Sequence, residues 1–279
     1  DFQTIQIMRT WINGQPIASV SVADRGLAFG DGLFETMRVV HGRIPLLEQH
    51  LARLSQSCQR LSIPLDMPQL VLELEAFIAE TPEGVCKLIY TRGVGQRGYA
   101  TPDPVAVQRI LQLSALPNWP ATNFSEGVSL FPCQTRLAHQ PLLAGMKHLN
   151  RLEQVLARAE WSSAEFAEGL VLDQQQQVIE GVFSNLFCVL EGRLCTPDLS
   201  QAGVLGTMRA WLLARARQLG YAPVVRSIGR AQLSSASEVF ICNSLYGVWP
   251  VRACANDRWP VGPITQQLQQ QVAELYCGT

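Results

Sequence analysis

The chain has 279 residues, of which 47% are hydrophobic and 16% are charged, and its formal net charge is −1. Such a composition supports a buried core in one large domain or two smaller ones, and it excludes an intrinsically disordered chain. The near-zero charge without a basic run argues against a nucleic-acid partner. No apolar stretch reaches the length of a membrane span, and the start of the chain lacks a signal-peptide pattern. We therefore expect a cytoplasmic protein that does not bind membranes.

Two further features concern the compartment and the chain ends. The eight cysteines show no C-x-x-C spacing, so neither a zinc site nor a redox motif is predicted. Most of them lie in apolar runs and are expected to be buried, reduced thiols. Residues 1–7 precede Met8 and the first regular pattern, and we interpret them as a vector-derived remnant.

The first half of the chain predicts a small α/β domain over residues 8–117. Asn13-Gly14 predicts a hairpin turn after a strand at Trp11 and Ile12. Apolar residues then recur at spacings of three and four, which places them on one face of a helix; they are Leu47, Leu51, Leu54, Cys58 and Leu61. The remaining predicted elements are a helix over residues 70–78 and strands at Phe34–Val40, Val85–Thr91 and Ile110–Ala115.

The second half predicts a larger domain over residues 127–279, after a linker at residues 118–126 that is rich in proline and polar residues. Strands and helices are mixed along it, which indicates an α/β or α+β fold. The predicted strands are Val128–Cys133, Gly169–Asp173, Val178–Glu180, Asn185–Leu190 and Glu238–Asn243, and the predicted helices are Asn150–Ala159, Thr207–Leu219 and Thr265–Leu275.

Three segments carry residue types suited to catalysis. Lys147 is one of two lysines, with Lys87, and lies just before a predicted helix; a surface lysine is the alternative. Gly203–Arg209 runs into a helix whose first N–H groups suit a phosphate; an ordinary helix cap is the alternative. Glu180 is a lone acid among apolar residues. A buried carboxylate there would need a cationic partner such as a protonated ring nitrogen, unless its side chain reaches solvent.

A fourth segment has the spacing of a dinucleotide-binding loop. Gly93, Gly95 and Gly98 form G-x-G-x-x-G directly after a predicted strand. Such a loop needs a helix immediately after it, and Tyr99 followed by two prolines prevents one. No dinucleotide site is predicted.

Five motifs, in order, resemble the class IV (fold type IV) enzymes that depend on pyridoxal 5′-phosphate (PLP). This family includes branched-chain and D-amino acid aminotransferases and aminodeoxychorismate lyases. The motifs are Asp24–Thr36, His50–Leu54, Lys147, Glu180 with Asn185, and Gly203–Arg209. The resemblance implies a two-domain fold with the cofactor in the interdomain cleft, in a homodimer.

The resemblance also implies a role for each motif residue. Lys147 would hold PLP covalently and then transfer protons, and Glu180 would keep the pyridine nitrogen protonated. The remaining cofactor contacts would come from Arg53, Leu205, Gly206, Thr207, Asn243 and Ser244, the first four of them on the phosphate.

Within the family, the stretches Arg92–Tyr99, Gly145–Gln154 and Ile241–Val251 resemble the aminodeoxychorismate lyases most. This implies conversion of 4-amino-4-deoxychorismate to 4-aminobenzoate and pyruvate in folate biosynthesis. Arg92, Arg97 and Tyr99 are the candidate ligands of the two substrate carboxylates, with Asn150 as a further contact. Arginines that only brace the loop are the alternative.

The main alternative function is a class IV aminotransferase acting on D- or branched-chain amino acids. A D-amino acid aminotransferase is expected to place a histidine shortly after Arg92, and no histidine occurs between His50 and His139. A PLP-binding protein without catalysis is disfavoured, because it would not need the electron sink that Glu180 would support.

Overall fold

The computed structural model describes residues 7–278, which fall into two compact units. The first comprises the chain up to Asn118 together with Lys147–Asn150, and the second comprises Trp119–Met146 and the chain from Arg151 onward. This division differs from the predicted organisation in one respect that matters for function. The short segment that carries Lys147 packs with the first unit, although it lies far along the chain.

The first unit is a four-stranded antiparallel sheet with three helices. Its elements are β1 (Ile7–Ile12), α1 (Arg25–Phe29), β2 (Gly32–Val40), α2 (Leu47–Leu61), α3 (Met67–Ile78), β3 (Glu83–Thr91) and β4 (Gln108–Ser114). The strand order is β1-β4-β3-β2. Along β2, alternate residues face the core; they are Leu33, Glu35, Met37 and Val39, all of them buried. A glutamate therefore occupies an otherwise apolar row.

Local patterns predicted most of this unit, and α2 has the bounds that its apolar spacing indicates. The hairpin prediction was wrong in its second strand. Asn13 and Gly14 do form a turn with φ of 52° and 76°, but only Ile12 and Gln15 pair across it. β1 pairs instead with β4 along its whole length. The distant partner buries more apolar surface than the short segment after the turn.

The second unit contains a nine-stranded mixed sheet. Its elements are α4 (Thr122–Ser125), β5 (Val128–Leu137), α5 (Leu152–Arg158), β6 (Phe166–Asp173), β7 (Val178–Gly181), β8 (Asn185–Leu190), β9 (Arg193–Pro197), α6 (Thr207–Gln218), β10 (Val224–Arg226), α7 (Arg230–Ser234), β11 (Glu238–Asn243), β12 (Gly247–Cys254), β13 (Asp257–Arg258) and α8 (Pro263–Cys277). The order is β10-β9-β8-β11-β12-β5-β6-β7, with β13 beside β12.

The segment predicted as a linker is packed structure in this unit. The ring of Trp119 lies 5.9 Å from that of Trp249, and the ring of Phe124 on α4 lies 6.0 Å from it. Packing of these two rings against Trp249 stabilises a segment whose prolines and polar residues suggested an irregular connection. β12 was not predicted, because Pro250 interrupts its apolar pattern.

Three sequence expectations concern termini, thiols and membranes. Of the presumed remnant, residues 1–6 lie outside the described part of the chain, whereas Ile7 begins β1 and pairs with Ser114. Seven cysteines are buried and Cys277 is exposed. Between residues 7 and 278, no helix has the length and apolar character needed to cross a bilayer.

Candidate active site

Lys147 lies along the outer edge of β2 in the first unit. The N–H of Phe34 donates to the Lys147 carbonyl at 2.9 Å, and the N–H of Leu149 donates to the Gly32 carbonyl at 3.0 Å. The Lys147 ammonium nitrogen lies 4.3 Å from the centroid of the Phe34 ring. Two backbone bonds thus extend the sheet by one short segment. They fix the backbone at Lys147, for which a surface lysine was the alternative prediction.

Behind this edge, a buried carboxylate joins Arg53 and His50 of α2. Arg53 Nε donates to Glu35 at 2.8 Å, Arg53 Nη2 contacts the second oxygen, and His50 Nδ1 lies 2.6 Å from it. Burial alone would raise the pKa of Glu35, but the Arg53 charge and the His50 hydrogen bond hold it at about 2. Burial, with the charges of Arg53 and Lys147, lowers the pKa of His50, although its hydrogen bond and charge contact with Glu35 raise it.

This network orients Arg53, the arginine predicted to bind the cofactor phosphate. A two-point bond to a fixed carboxylate holds a guanidinium in one plane. Sequence reasoning did not identify Glu35 as a site residue. Its signal was a lone acid among the apolar positions of a strand, the same signal that singled out Glu180.

Glu180 is buried on β7 of the second unit, with 4% of its surface exposed. Its Oε2 accepts from the N–H of Val204 at 2.8 Å and lies 3.5 Å from the Asn185 amide nitrogen. Asn185 in turn donates to the Val204 carbonyl at 2.9 Å and accepts from the N–H of Gly206 at 3.1 Å. The alternative of a solvent-exposed glutamate is therefore wrong, and Glu180 and Asn185 together fix the loop before α6.

The start of α6 has fewer available phosphate donors than predicted. The N–H of Leu205 donates to the Gly145 carbonyl at 3.0 Å, and that of Gly206 is bound to Asn185. Helix α6 begins at Thr207, directly after the extended residue Gly206. No side chain caps this helix. The predicted phosphate contact therefore narrows to the start of the helix, where an anion is favoured electrostatically.

Glu168 organises the turn between β7 and β8, and it was not predicted. It is fully buried and accepts from the N–H groups of Gly169, Val182 and Phe183 and from the Ser184 hydroxyl, at 2.6 to 3.2 Å. Burial raises the pKa of Glu168 to about 7 despite these hydrogen bonds. The turn it holds connects Glu180 to Asn185.

Asn243 closes a turn in the second unit. Its side-chain oxygen accepts from the N–H groups of Leu245 and Tyr246, both at 3.0 Å, and its amide donates to the Phe183 carbonyl at 3.3 Å. These bonds engage both ends of the amide, so the geometry favours a structural role over the predicted cofactor contact. Ser244 lies within this turn, and its carbonyl accepts from the Tyr276 hydroxyl at 3.0 Å.

Arg92 is buried, in contrast to the predicted role at the substrate. It donates to Asp31 at 2.8 Å and to the carbonyls of Leu61 and Ser62 at 2.9 and 3.0 Å. All three guanidinium nitrogens are thus bound inside the unit, and the residue is 5% exposed. We correct the prediction accordingly: Arg92 braces the loop, the alternative left open by the sequence.

Arg97 and Tyr99 are exposed on the same loop, and Tyr99 is 84% exposed. Among the described residues, no hydrogen bond or ion pair involves the Arg97 side chain, which leaves its guanidinium available for a ligand. The Asn150 amide donates to the Gly30 carbonyl at 3.0 Å. Asn150 therefore holds the end of α1 in place.

Lys87 is an additional cation close to Lys147. It lies opposite Thr36 in the β2–β3 register, and its nitrogen is 5.6 Å from the centroid of the Phe34 ring. Burial lowers the pKa of Lys87. Both lysines of the chain therefore flank one aromatic ring, which their distance along the sequence did not reveal.

The chain is similar to named proteins in sequence and to a solved structure in fold. The chain is 37% identical over 268 residues to the aminodeoxychorismate lyase of Vibrio harveyi, covering 93% of this chain and 97% of that protein. It is 30% identical to a putative branched-chain-amino-acid aminotransferase of Methanocaldococcus jannaschii, over 96% of each chain. The crystal structure of 4-amino-4-deoxychorismate lyase from Pseudomonas aeruginosa matches with a TM-score of 0.93 and 56% identity, over 95% of this chain and 98% of that one.

The family assignment follows from the extent of these matches. The model of the amino-transferase class IV family matches residues 32–254, which include Lys147, Glu180 and the start of α6. The chain belongs to the class IV aminotransferase family.

Proposed function

We propose that this protein is a PLP-dependent lyase that converts 4-amino-4-deoxychorismate to 4-aminobenzoate and pyruvate, a step of folate biosynthesis. The observation that carries the proposal is the 56% identity to the Pseudomonas aeruginosa lyase over 95% of this chain. Identity to the aminotransferase of Methanocaldococcus jannaschii is 30%. The lyase is therefore favoured over an aminotransferase of the same family.

The chemistry of the available donors fits PLP. Lys147 offers an amine for the aldehyde, and the buried Glu180 carboxylate suits a protonated pyridine nitrogen. Arg53, oriented by Glu35, and the first N–H groups of α6 suit a phosphate. The aldehyde, the pyridine nitrogen and the phosphate of the cofactor thus each have a matching group among the motif residues.

Lys147 would perform the proton transfers. PLP, when bound to the substrate amine, supplies the electron sink that makes the hydrogen on the amine-bearing ring carbon acidic. The Lys147 amine removes that hydrogen as a proton, and the electrons of the C–H bond become part of the ring π system. The bond from the adjacent ring carbon to the enolpyruvyl oxygen breaks, and Lys147 returns a proton to the departing enol, which becomes pyruvate. One substrate gives two products, with no oxidant, reductant or second substrate.

Aromaticity favours this elimination. The ring product is aromatic once the proton and the enolpyruvyl oxygen have left, so loss of the leaving group is strongly downhill. An aminotransferase must instead reprotonate the cofactor and accept a 2-oxo acid. Recognition of two substrate carboxylates calls for cationic donors, and the exposed Arg97 is the candidate that the geometry supports.

We also propose a cytoplasmic homodimer. Helix α5 carries three exposed apolar side chains at helical spacing, and they are Leu152, Val155 and Leu156 at 76%, 59% and 61% exposure. Exposed apolar clusters of this kind mark protein interfaces. Light scattering at micromolar concentration should report about twice the 30.8 kDa chain mass, whereas a fully active monomer would contradict the dimer.

The decisive experiment is a product assay without an oxo acid. Purified protein loaded with PLP is mixed with 4-amino-4-deoxychorismate, and 4-aminobenzoate and pyruvate are measured. Equal amounts of both products are expected. If a D- or branched-chain amino acid instead converts the cofactor rapidly to its amine form, and no 4-aminobenzoate appears, the protein is an aminotransferase.

A further inference from the structure

The glycine-rich loop at residues 93–100 encloses a buried side chain. Arg25, on α1, is 4% exposed. Its guanidinium donates to the carbonyls of three consecutive loop residues, to Gly98 and Tyr99 at 3.1 Å and to Ala100 at 3.0 Å. A buried arginine is tolerated only where its donors are satisfied. The loop backbone is therefore folded around this one cation.

The Asp31 carboxylate connects Arg25 to Arg92, the residue that directly precedes the loop. One oxygen of Asp31 accepts from Arg25 Nε and from Arg92 Nε, both at 2.8 Å. Burial would raise the pKa of Asp31, but the hydrogen bonds and charges of the two arginines hold it below its usual value. Arg25 thus binds the last three residues of the loop, and Arg92, bound to the same carboxylate, directly precedes its first residue.

The glycine spacing follows from this enclosure. A Cβ atom at Gly95 would lie 2.8 Å from Cδ of Arg25, so a side chain there would displace the arginine stem. Gly98 has a φ of +100°, a backbone conformation that residues other than glycine rarely adopt. This conformation turns the Gly98 carbonyl toward the Arg25 guanidinium. The G-x-G-x-x-G pattern therefore accommodates an arginine here, where a dinucleotide-binding loop accommodates a phosphate.

The bonds from Arg25 hold the loop backbone beside the two candidate substrate ligands, Arg97 and Tyr99. The Tyr99 carbonyl is bound by Arg25, and the Tyr99 ring lies 5.3 Å from that of Phe29. The Arg25 guanidinium lies 5.0 Å from the same Phe29 ring. Arg97 directly precedes Gly98, whose carbonyl accepts a hydrogen bond from Arg25. The backbone next to the Arg97 side chain is therefore held by Arg25.

We propose that Arg25 is a positioning residue that sets the conformation of loop 93–100 and thereby the affinity for substrate through Arg97 and Tyr99. The substrate part rests on the proposed function, whereas the hold on the loop does not. Arg25 itself touches no substrate in this scheme. It acts only through the loop carbonyls.

Limited trypsin digestion of the PLP-loaded protein tests the hold on the loop, because the Arg97–Gly98 bond lies within it. Arg25→Lys keeps the charge but loses the planar fork that binds several carbonyls at once. Mass spectrometry measures the rate of cleavage at the Arg97–Gly98 bond. In Arg25→Lys this rate should be about tenfold or more above that of the wild type, because the loop opens more often. Cleavage after the exposed Arg193 is the internal reference and should not change.

Two further variants make this test specific. Arg109→Lys changes an arginine of the same unit that pairs with Glu73 and contacts no loop carbonyl, so it should leave Arg97–Gly98 cleavage unchanged. Gly95→Ala should accelerate cleavage by pushing on the Arg25 stem, and it serves if Arg25→Lys does not fold. Wild-type cleavage rates in Arg25→Lys, or in Gly95→Ala if that variant takes its place, would overturn the proposal.

Kinetics test the consequence for substrate. Arg25→Lys should raise KM for 4-amino-4-deoxychorismate about fivefold or more and change kcat less than about twofold, as expected for lost ground-state binding. Combined with Arg97→Ala, it should add little to the KM of Arg97→Ala alone, because both act through one element. Faster cleavage with unchanged KM would overturn the link to substrate. A wild-type protein that forms no 4-aminobenzoate would refute the proposed function, while the trypsin result would still decide the role of Arg25.

Discussion

Lys147 and Phe34 are joined twice, once through the backbone and once through the side chains. The Phe34 N–H donates to the Lys147 carbonyl at 2.9 Å, and the lysine nitrogen lies 4.3 Å from the centroid of the ring. The face of an aromatic ring attracts an ammonium group electrostatically. Strand β2 thus positions both the main chain and the head group of the proposed nucleophile.

The first prediction concerns which lysine binds the cofactor. Borohydride reduction of the PLP-loaded protein should fix the cofactor to Lys147, and peptide mapping will identify the labelled residue. Lys147→Ala should lose about 10²- to 10⁴-fold in turnover, the usual contribution of a positioned acid–base group. Lys87→Met should retain the label at Lys147. A label found on Lys87 in the wild-type protein would refute the assignment.

The second prediction concerns Glu180. Glu180→Gln should still bind PLP but lose about tenfold or more in turnover, equivalent to at least about 1.4 kcal/mol in the barrier. A neutral amide stabilises a protonated pyridine nitrogen far less than a carboxylate does. Steady-state assays and cofactor absorbance are the measurements. Glu160→Gln is the control, since Glu160 accepts hydrogen bonds from Gln134 and Thr135 of β5 and is not a motif residue. Its turnover should stay at the wild-type level.

The third prediction concerns Arg97. Arg97→Ala should raise KM for 4-amino-4-deoxychorismate about tenfold while the PLP absorbance spectrum stays unchanged, because a substrate carboxylate loses one charged donor. Arg193→Ala removes another exposed arginine, from the second unit, and should leave KM unchanged. An unaltered KM in Arg97→Ala would leave the substrate carboxylates to other residues.

The fourth prediction concerns acid stability. The pKa of Glu35 is about 2 in the folded protein, against 4.5 for an unperturbed glutamate. A lowered pKa contributes stability that is complete above the unfolded value and is lost as the pH falls through the window from 4.5 toward 2. Glu35→Gln should therefore lower the free energy of unfolding at pH 7 by a few kcal/mol, on the order expected when a buried ion pair loses one partner.

Denaturant unfolding at several pH values measures this effect. The difference in the free energy of unfolding between wild type and Glu35→Gln should shrink as the pH falls from about 5 to about 3. Only the wild type then takes up a proton at this position when it unfolds. Glu83→Gln is the control, since Glu83 pairs with Arg38 at 3.4 Å and is largely exposed. A difference that stays constant over this range would show that folding does not lower the pKa of Glu35.

Elements built from local patterns were predictable. Helix α2 runs from Leu47 to Leu61, as its apolar spacing indicates, and β8 and β11 have their predicted bounds. A helix face or a strand face is encoded within a dozen neighbouring residues, so no knowledge of the tertiary fold is needed. The turn at Asn13-Gly14 was equally local. Its failure to make a hairpin shows that the choice of strand partner is not local.

The roles of the arginines were not predictable in the same way. Arg92 and Arg97 lie five positions apart on one loop, and both were expected to bind substrate carboxylates. Arg92 instead reaches Asp31, 61 positions away, and Arg25 reaches Ala100, 75 positions away. Whether an arginine faces a ligand or a buried carboxylate depends on which distant segments meet. Residue composition and spacing do not show which distant segments meet in the folded protein.

The family, the candidate lysine and the candidate acid could all be identified before the fold was known. Lys147 is one of two lysines, and Glu180 is an isolated charge among apolar residues, so both stood out before any fold was known. Only the tertiary structure decided that Lys147 pairs with β2, that Glu35 and His50 support Arg53, and that Arg25 lies inside the glycine loop. The physical reason is that a buried charge must find its partners wherever the folded chain brings them, and chain folding is governed by the burial of the whole core.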